Sequence, residues 1–238
     1  MIRIATATEP TSFDRKVRKP GQNALALLEG KEPPHRMLGR RPSATRMLNG
    51  KPVPRSLDDF PYWRKCLEDL YAAYGGICAY YCFFIEQATG PTVDHFVAKS
   101  NPTDRQLAYE WKNFRLASSY ANSCKNRHPD VLDPATIEDG WFQLDLLTLR
   151  VSPANSLTEG ISDQVKKTIS RLKLNEGPAL ACRKRAMDRF RAGLKLSFLD
   201  HDHPFLAKEL HRQGISHQEQ LPTLPLTITE SREPELVA

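Results

Sequence analysis

Asp94 and His95 are adjacent, Asn113 follows His95 by eighteen positions, and Asn122 follows Asn113 by nine. A carboxylate can hold a hard cation, and an imidazole that ordinarily titrates near neutrality can take a proton from water. One amide can orient the imidazole, and a second can offer its carbonyl oxygen to the same cation. Together these groups suit phosphodiester hydrolysis, which needs a deprotonated water in line with the leaving oxygen and positive charge on the phosphoryl and leaving oxygens. Taken singly, each has a plainer reading. An Asp-His pair is commonly structural, and Asn113 serves equally well as a turn residue before a strand. The weight rests on order and spacing.

The surrounding residues suggest how these groups are positioned. Thr89-Gly90-Pro91 reads as a turn into a strand over Thr92–Phe96, and alternation along that strand sends Asp94 and His95 to opposite faces. A loop and a short helical stretch around Asp104–Glu110 precede Trp111-Lys112-Asn113-Phe114-Arg115-Leu116, read as a second strand whose asparagine ties the loop to the histidine strand. Ser118 then caps a helix that carries Asn122 one turn in and Lys125 three residues later. Upstream, Ser56, Asp58, Asp59 and Pro61 start a helix whose Trp63, Cys66, Leu67, Leu70 and Tyr74 share a face, and Gly75-Gly76 ends it. The aromatic and β-branched run Ile77–Ile85 is predicted to be a strand.

The run from Tyr74 to Pro134 contains Cys78-Ala79-Tyr80, Val93-Asp94-His95-Phe96, Lys99-Ser100, Tyr109-Glu110-Trp111-Lys112-Asn113, Asn122 with Lys125, and Val131-Leu132-Asp133-Pro134. It resembles bacterial HNH endonucleases, nearest to those that work beside an ATPase in phage defence, as in Septu-type systems. The resemblance implies a ββα-metal fold, Asp94 as metal ligand, His95 as general base, Asn113 as the structural asparagine of the catalytic set and Asn122 at the third signature position. That position is often histidine in the family, so this chain is an HNN variant. Asparagine suits Mg²⁺ or Mn²⁺, one per site, better than zinc. Many relatives also hold a structural zinc on two Cys-x-x-Cys pairs. Here the first pair is spaced Cys78-x-x-x-Cys82, and Ser118 and Ala121 stand where the second would fall, so a structural zinc is not expected.

Other metal-capable groups fit less well. His128 lies in a solvated Lys-Asn-Arg-His-Pro run, Glu86 reads as a surface carboxylate, and His201-Asp202-His203 precedes Pro204 as a helix cap would. The five cysteines form an odd, scattered set that argues for reduced thiols.

A net charge of +6 over 238 residues suits a polyanionic partner. Lys99, Arg115, Lys125 and Arg127 around the motifs, with Arg183 and Lys184 on a later basic helix, are the expected nucleic-acid contacts. No apolar run reaches the roughly 18 to 20 residues of a membrane span, and the first residues lack the apolar stretch of a secretory signal. A cytoplasmic protein with DNA and an ATPase subunit as partners, and no membrane, is the resulting expectation.

The expected fold is α+β, with a ββα-metal module embedded in a mainly helical single domain. Residues 1–56 read as an irregular basic arm, with one short helix around Asn23–Glu29. Lys31, Arg36, Arg40, Arg41, Arg46, Lys51 and Arg55 stand there against Glu32 alone in the stretch from Lys31 to Arg55. Residues 57–135 form the nuclease-like module with its leading helix, 136–213 a hairpin and helical extension, and 214–238 a disordered tail. The expected activity is metal-dependent endonucleolytic cleavage of DNA in anti-phage defence. The alternative is a catalytically weak nucleic-acid-binding or partner-docking subunit of a defence complex.

Overall fold

A computed structural model describes residues 1–37 and 45–221. It is a mixed α and β protein with small antiparallel sheets and helices on both sides of the motif-bearing segment. Arg40, Arg41 and the stretch 222–238 lie outside the described residues.

The N-terminal segment is not an irregular arm. A π-helical turn at Asp14–Arg18 runs into α1 (Lys19–Leu28), and Phe13, Val17, Ala24 and Leu28 enter the core. Pro20 follows the π turn within a continuous helical run, and the wider π turn accommodates its ring and its missing N–H. Gly21 is required by contact: a Cβ there would lie 2.1 Å from Cγ of Tyr109. The strands β1 (Thr45–Leu48) and β2 (Lys51–Pro54) form a hairpin around Asn49-Gly50, both residues having the positive φ that a tight two-residue turn demands.

Ser56 caps a 3₁₀ turn (Leu57–Asp59) in a reciprocal capping box, a second turn spans Tyr62–Cys66, and α2 covers Leu67–Ala73. The strand predicted over 77–85 is absent. Cys82 adopts a left-handed φ of 54°, its N–H donates to the Cys78 carbonyl, and Cys78 N–H donates to the Phe83 carbonyl. The segment therefore folds back as a knuckle, closed by an Ile77–Phe84 bridge. Its apolar run is buried because it is central to the core, so hydrophobicity alone could not separate strand from knuckle.

Strands β3 (Pro91–His95) and β4 (Phe114–Ser118) pair antiparallel, with Asp94 opposite Arg115 and His95 opposite Phe114. Helix α3 (Ser119–Lys125) follows at once, and the Ser118 hydroxyl accepts from Ala121 N–H at 3.3 Å. A second small hairpin, β5 (Phe142–Leu144) with β6 (Val151–Pro153), leads to α4 (Glu159–Arg171), α5 (Gly177–Arg191), α6 (Leu196–Asp202) and α7 (Pro204–Arg212). One buried cluster runs from Met1 through the β3–β4 pair and the β5–β6 hairpin to Ile215, so the core continues past the predicted tail boundary at 214. Among the described residues no helix is long and apolar enough to cross a membrane.

Candidate functional site

The ends of β3 and α3 and the segment after β2 enclose a cavity of about 880 Å³ that Asp94, His95 and Asn122 all line. His95 is wedged edge-on between the rings of Trp63 and Phe114, with centroids 4.9 and 5.1 Å away. Its Nε2 lies 2.9 Å from the carbonyl oxygen of Ala108. A carbonyl can only accept, so Nε2 carries the hydrogen and Nδ1 keeps its lone pair. Burial pushes the imidazole down from its ordinary value to about 4. At neutral pH the ring is therefore uncharged, with Nδ1 as its basic atom.

Asp94 is buried, and its Oδ2 accepts from the Tyr80 hydroxyl at 2.5 Å and lies 3.5 Å from the Lys125 ammonium. Burial pushes the Asp94 carboxyl up and the Lys125 ammonium down, although each opposes the shift of the other. Lys125 Nζ also donates to the carbonyls of His95 and Phe96, both at 2.5 Å, and so braces the end of β3.

The orientation of Asn122 follows from its neighbour. The Thr92 hydroxyl donates to the Ala117 carbonyl at 2.9 Å, so it can only accept from Asn122 Nδ2, 3.0 Å away. The amide nitrogen is thereby engaged, and Oδ1 is the atom left to act as an acceptor. Asn113 does not touch the imidazole directly. Its Oδ1 accepts from Val97 N–H at 2.7 Å, and its Nδ2 donates to the Val97 and Leu107 carbonyls, both at 3.0 Å. It staples both ends of the loop that presents the Ala108 carbonyl, and is thus a positioning residue for His95.

Three expected phosphate contacts need correction. Arg115 is buried in a bidentate pair with Asp133, at 2.8 and 2.5 Å, and donates to the Lys112 and Phe114 carbonyls. Lys125 is buried as described, and Arg183 spends its guanidinium on the Leu149 and Leu174 carbonyls inside the core. Sequence shows the charge of such residues but not the carbonyls waiting for them. Lys99 and Arg127 do line the cavity, whereas Lys184 is exposed on α5 away from it. Lys99 is paired with Asp58, whose carboxyl it holds below the usual range, and sits 4.6 Å over the Trp63 ring.

Arg46, Arg55, Arg64 and Arg105 join Lys99 and Arg127 around the cavity, against the carboxylates Asp58 and Asp94. This excess of positive charge suits a polyanion. Arg64 and Arg105 carried no motif signal. Arg46 and Arg55 were legible as part of the basic N-terminal stretch.

One carboxylate and one free amide oxygen at the cavity fit a hard divalent cation that keeps several waters and takes further oxygens from substrate. Among the described residues no group of three or more His, Cys, Asp or Glu side chains could hold a metal. His128 lines a separate shallow depression with Cys124 and Lys173. His201 Nδ1 is 2.6 Å from Asp202 Oδ1, and His203 makes no side-chain cap to α7, which corrects the capping expectation. Cys78 and Cys82 are buried, with Cys78 Sγ accepting from Tyr81 N–H at 3.5 Å.

No protein-family model and no curated protein matches this chain.

Proposed function

We propose that this protein is a metal-dependent HNH-type endonuclease that hydrolyses DNA phosphodiester bonds, with β3, β4 and α3 as its ββα-metal unit. The observation that carries this reading is His95, its tautomer fixed by the Ala108 carbonyl 2.9 Å from Nε2, on the wall of a basic cavity it shares with Asp94 and Asn122. Nδ1 of His95 takes the proton of the attacking water, and the Trp63 and Phe114 rings hold the imidazole in place. Asn113 keeps the Ala108 carbonyl in position by pinning the loop. The cavity's basic rim binds phosphates flanking the scissile bond. Asp94 and Asn122 would hold Mg²⁺ or Mn²⁺, whose charge would stabilise the phosphoryl oxygens and the departing 3′ oxygen.

The test is conversion of supercoiled plasmid to open-circular or linear form, with and without Mg²⁺ or Mn²⁺. Metal-dependent cleavage leaving 5′-phosphate ends supports the reading; no cleavage with either ion contradicts it.

A second reading, a catalytically weak nucleic-acid-binding or partner-docking subunit, is favoured by the ion pair at Asp94. Lys125 and the Tyr80 hydroxyl both engage Oδ2 of Asp94 and so compete with a cation for that carboxylate. Partnership with an ATPase in phage defence rests on the motif resemblance alone.

A further inference from the structure

The hairpin β1–β2 has two unlike faces. Register pairs Arg46 with Val53 and Leu48 with Lys51 on one face, and Thr45 with Pro54 and Met47 with Pro52 on the other. The first face is docked. Val53 is buried, Leu48 and Val53 lie against Gly30 just after α1, and Arg46 donates to the Leu28 carbonyl at 3.2 Å. On the second face Pro54 is buried at the base, and towards the tip Met47 is 67% exposed beside an exposed Pro52; among the described residues Met47 is the most exposed large apolar side chain. Lys51 is exposed next to the turn, while Arg46 and Arg55 at the hairpin's base line the cavity that holds His95.

An apolar tip flanked by cations, standing beside a cavity with a basic rim, has the chemistry of an element that enters a nucleic-acid groove. A two-stranded ribbon can lie in the minor groove, where Met or Pro side chains serve as wedges between base steps. Adding a partner's strand along β2 is disfavoured, because Pro52 and Pro54 have no N–H to offer there. We infer, resting on the nuclease reading, that the β1–β2 hairpin docks into the minor groove of duplex DNA beside the cleaved phosphate. Lys51 and Arg55 hold backbone phosphates, and Met47, backed by Pro52, presses against a base step and partly unstacks it.

The experiment uses the full chain in EDTA, so that binding is read without cleavage. Affinity for a duplex of about 30 base pairs, chosen to exceed a single-module footprint, is followed by anisotropy, and 2-aminopurine placed along one strand reports unstacking. Wild type should raise 2-aminopurine fluorescence at one or two positions. Met47→Ala should abolish that rise and weaken binding about tenfold, as loss of one buried apolar side chain would. Lys51→Gln with Arg55→Gln should lower the slope of log affinity against log salt by about 2. Met47 is exposed, so its loss leaves the fold intact.

Unchanged affinity and fluorescence in Met47→Ala would overturn the proposal. So would loss of self-association in that variant with DNA binding intact, which would assign the face to a second copy of the chain. Plasmid nicking separates the two readings. If cleavage depends on His95 but not on Met47, Lys51 or Arg55, the hairpin proposal fails and the nuclease reading stands. If duplex binding depends on Met47 but no cleavage occurs, docking stands and the nuclease reading fails. Absence of duplex binding by wild type contradicts both.

Discussion

The ammonium of Lys125, at the end of α3, stands 3.5 Å from the carboxylate of Asp94 on β3, and both side chains are buried. This pair joins the helix and strand of the candidate unit, and it places a fixed positive charge beside the carboxylate proposed to hold a cation. Breaking a buried pair from one side leaves the partner charge without compensation. Lys125→Met should therefore destabilise the protein by about 3–5 kcal/mol. Combined with Asp94→Asn it should cost clearly less than the sum of the single changes, as measured by denaturant unfolding in a double-mutant cycle. Simple additivity would show that the pair is not energetically coupled.

His95 should make stability pH-dependent in metal-free buffer. Its folded value is about 4 against an ordinary value of 6.5, so between these values the unfolded chain binds the proton more readily. Stability rises with pH wherever the unfolded state holds more protons, so the contribution is present above about 6.5 and lost as pH falls towards 4. The full effect is about 3 kcal/mol. Unfolding free energies from pH 4 to 7 should show this slope in wild type, and His95→Asn should flatten it; equal slopes would mean the imidazole is not held neutral by burial.

Asn113→Ala removes three hydrogen bonds that pin Val97 and Leu107. Left unpaired in a half-buried place, those backbone groups should cost about 1–3 kcal/mol. A merely global effect would speed hydrogen exchange everywhere, whereas the positioning role predicts early loss of protection at the Val97 amide. Catalytic turnover should fall with substrate affinity preserved, because the Ala108 carbonyl is no longer held against His95.

Gly21→Ala tests how the N-terminal helix supports the same loop. The new methyl would overlap the Tyr109 ring, next in sequence to Ala108, and should destabilise by about 1–3 kcal/mol through overpacking. An unchanged thermal midpoint would show that α1 can move away without consequence.

The Asp94-His95 strand, the Asn113 turn and the Ser118-capped helix were legible because alternation, capping and spacing are local properties. The knuckle at Cys78–Cys82 was not, since an apolar run at the centre of a core has no exposed face to betray its period. The N-terminal elements were hidden by their prolines. Pro20 reads as a breaker but begins α1, and Pro52 and Pro54 obscured a hairpin that Asn49-Gly50 announces by its turn chemistry. Lys125, Arg115 and Arg183 read as phosphate ligands because their charge is visible in sequence. Their buried partners come from distant segments and are not. The Ala108 carbonyl that fixes His95 has no side-chain signature at all.

The most direct measurement compares wild type with His95→Ala in plasmid nicking at neutral pH with Mg²⁺ or Mn²⁺, with duplex affinity measured alongside. Loss of the general base should lower the cleavage rate by about 10²–10⁴-fold while affinity for duplex DNA changes little. Should His95→Gln also be needed as a better-folded replacement, it should lose activity to the same extent. Cleavage at the wild-type rate by a folded His95 variant would contradict the assignment of this imidazole as the base.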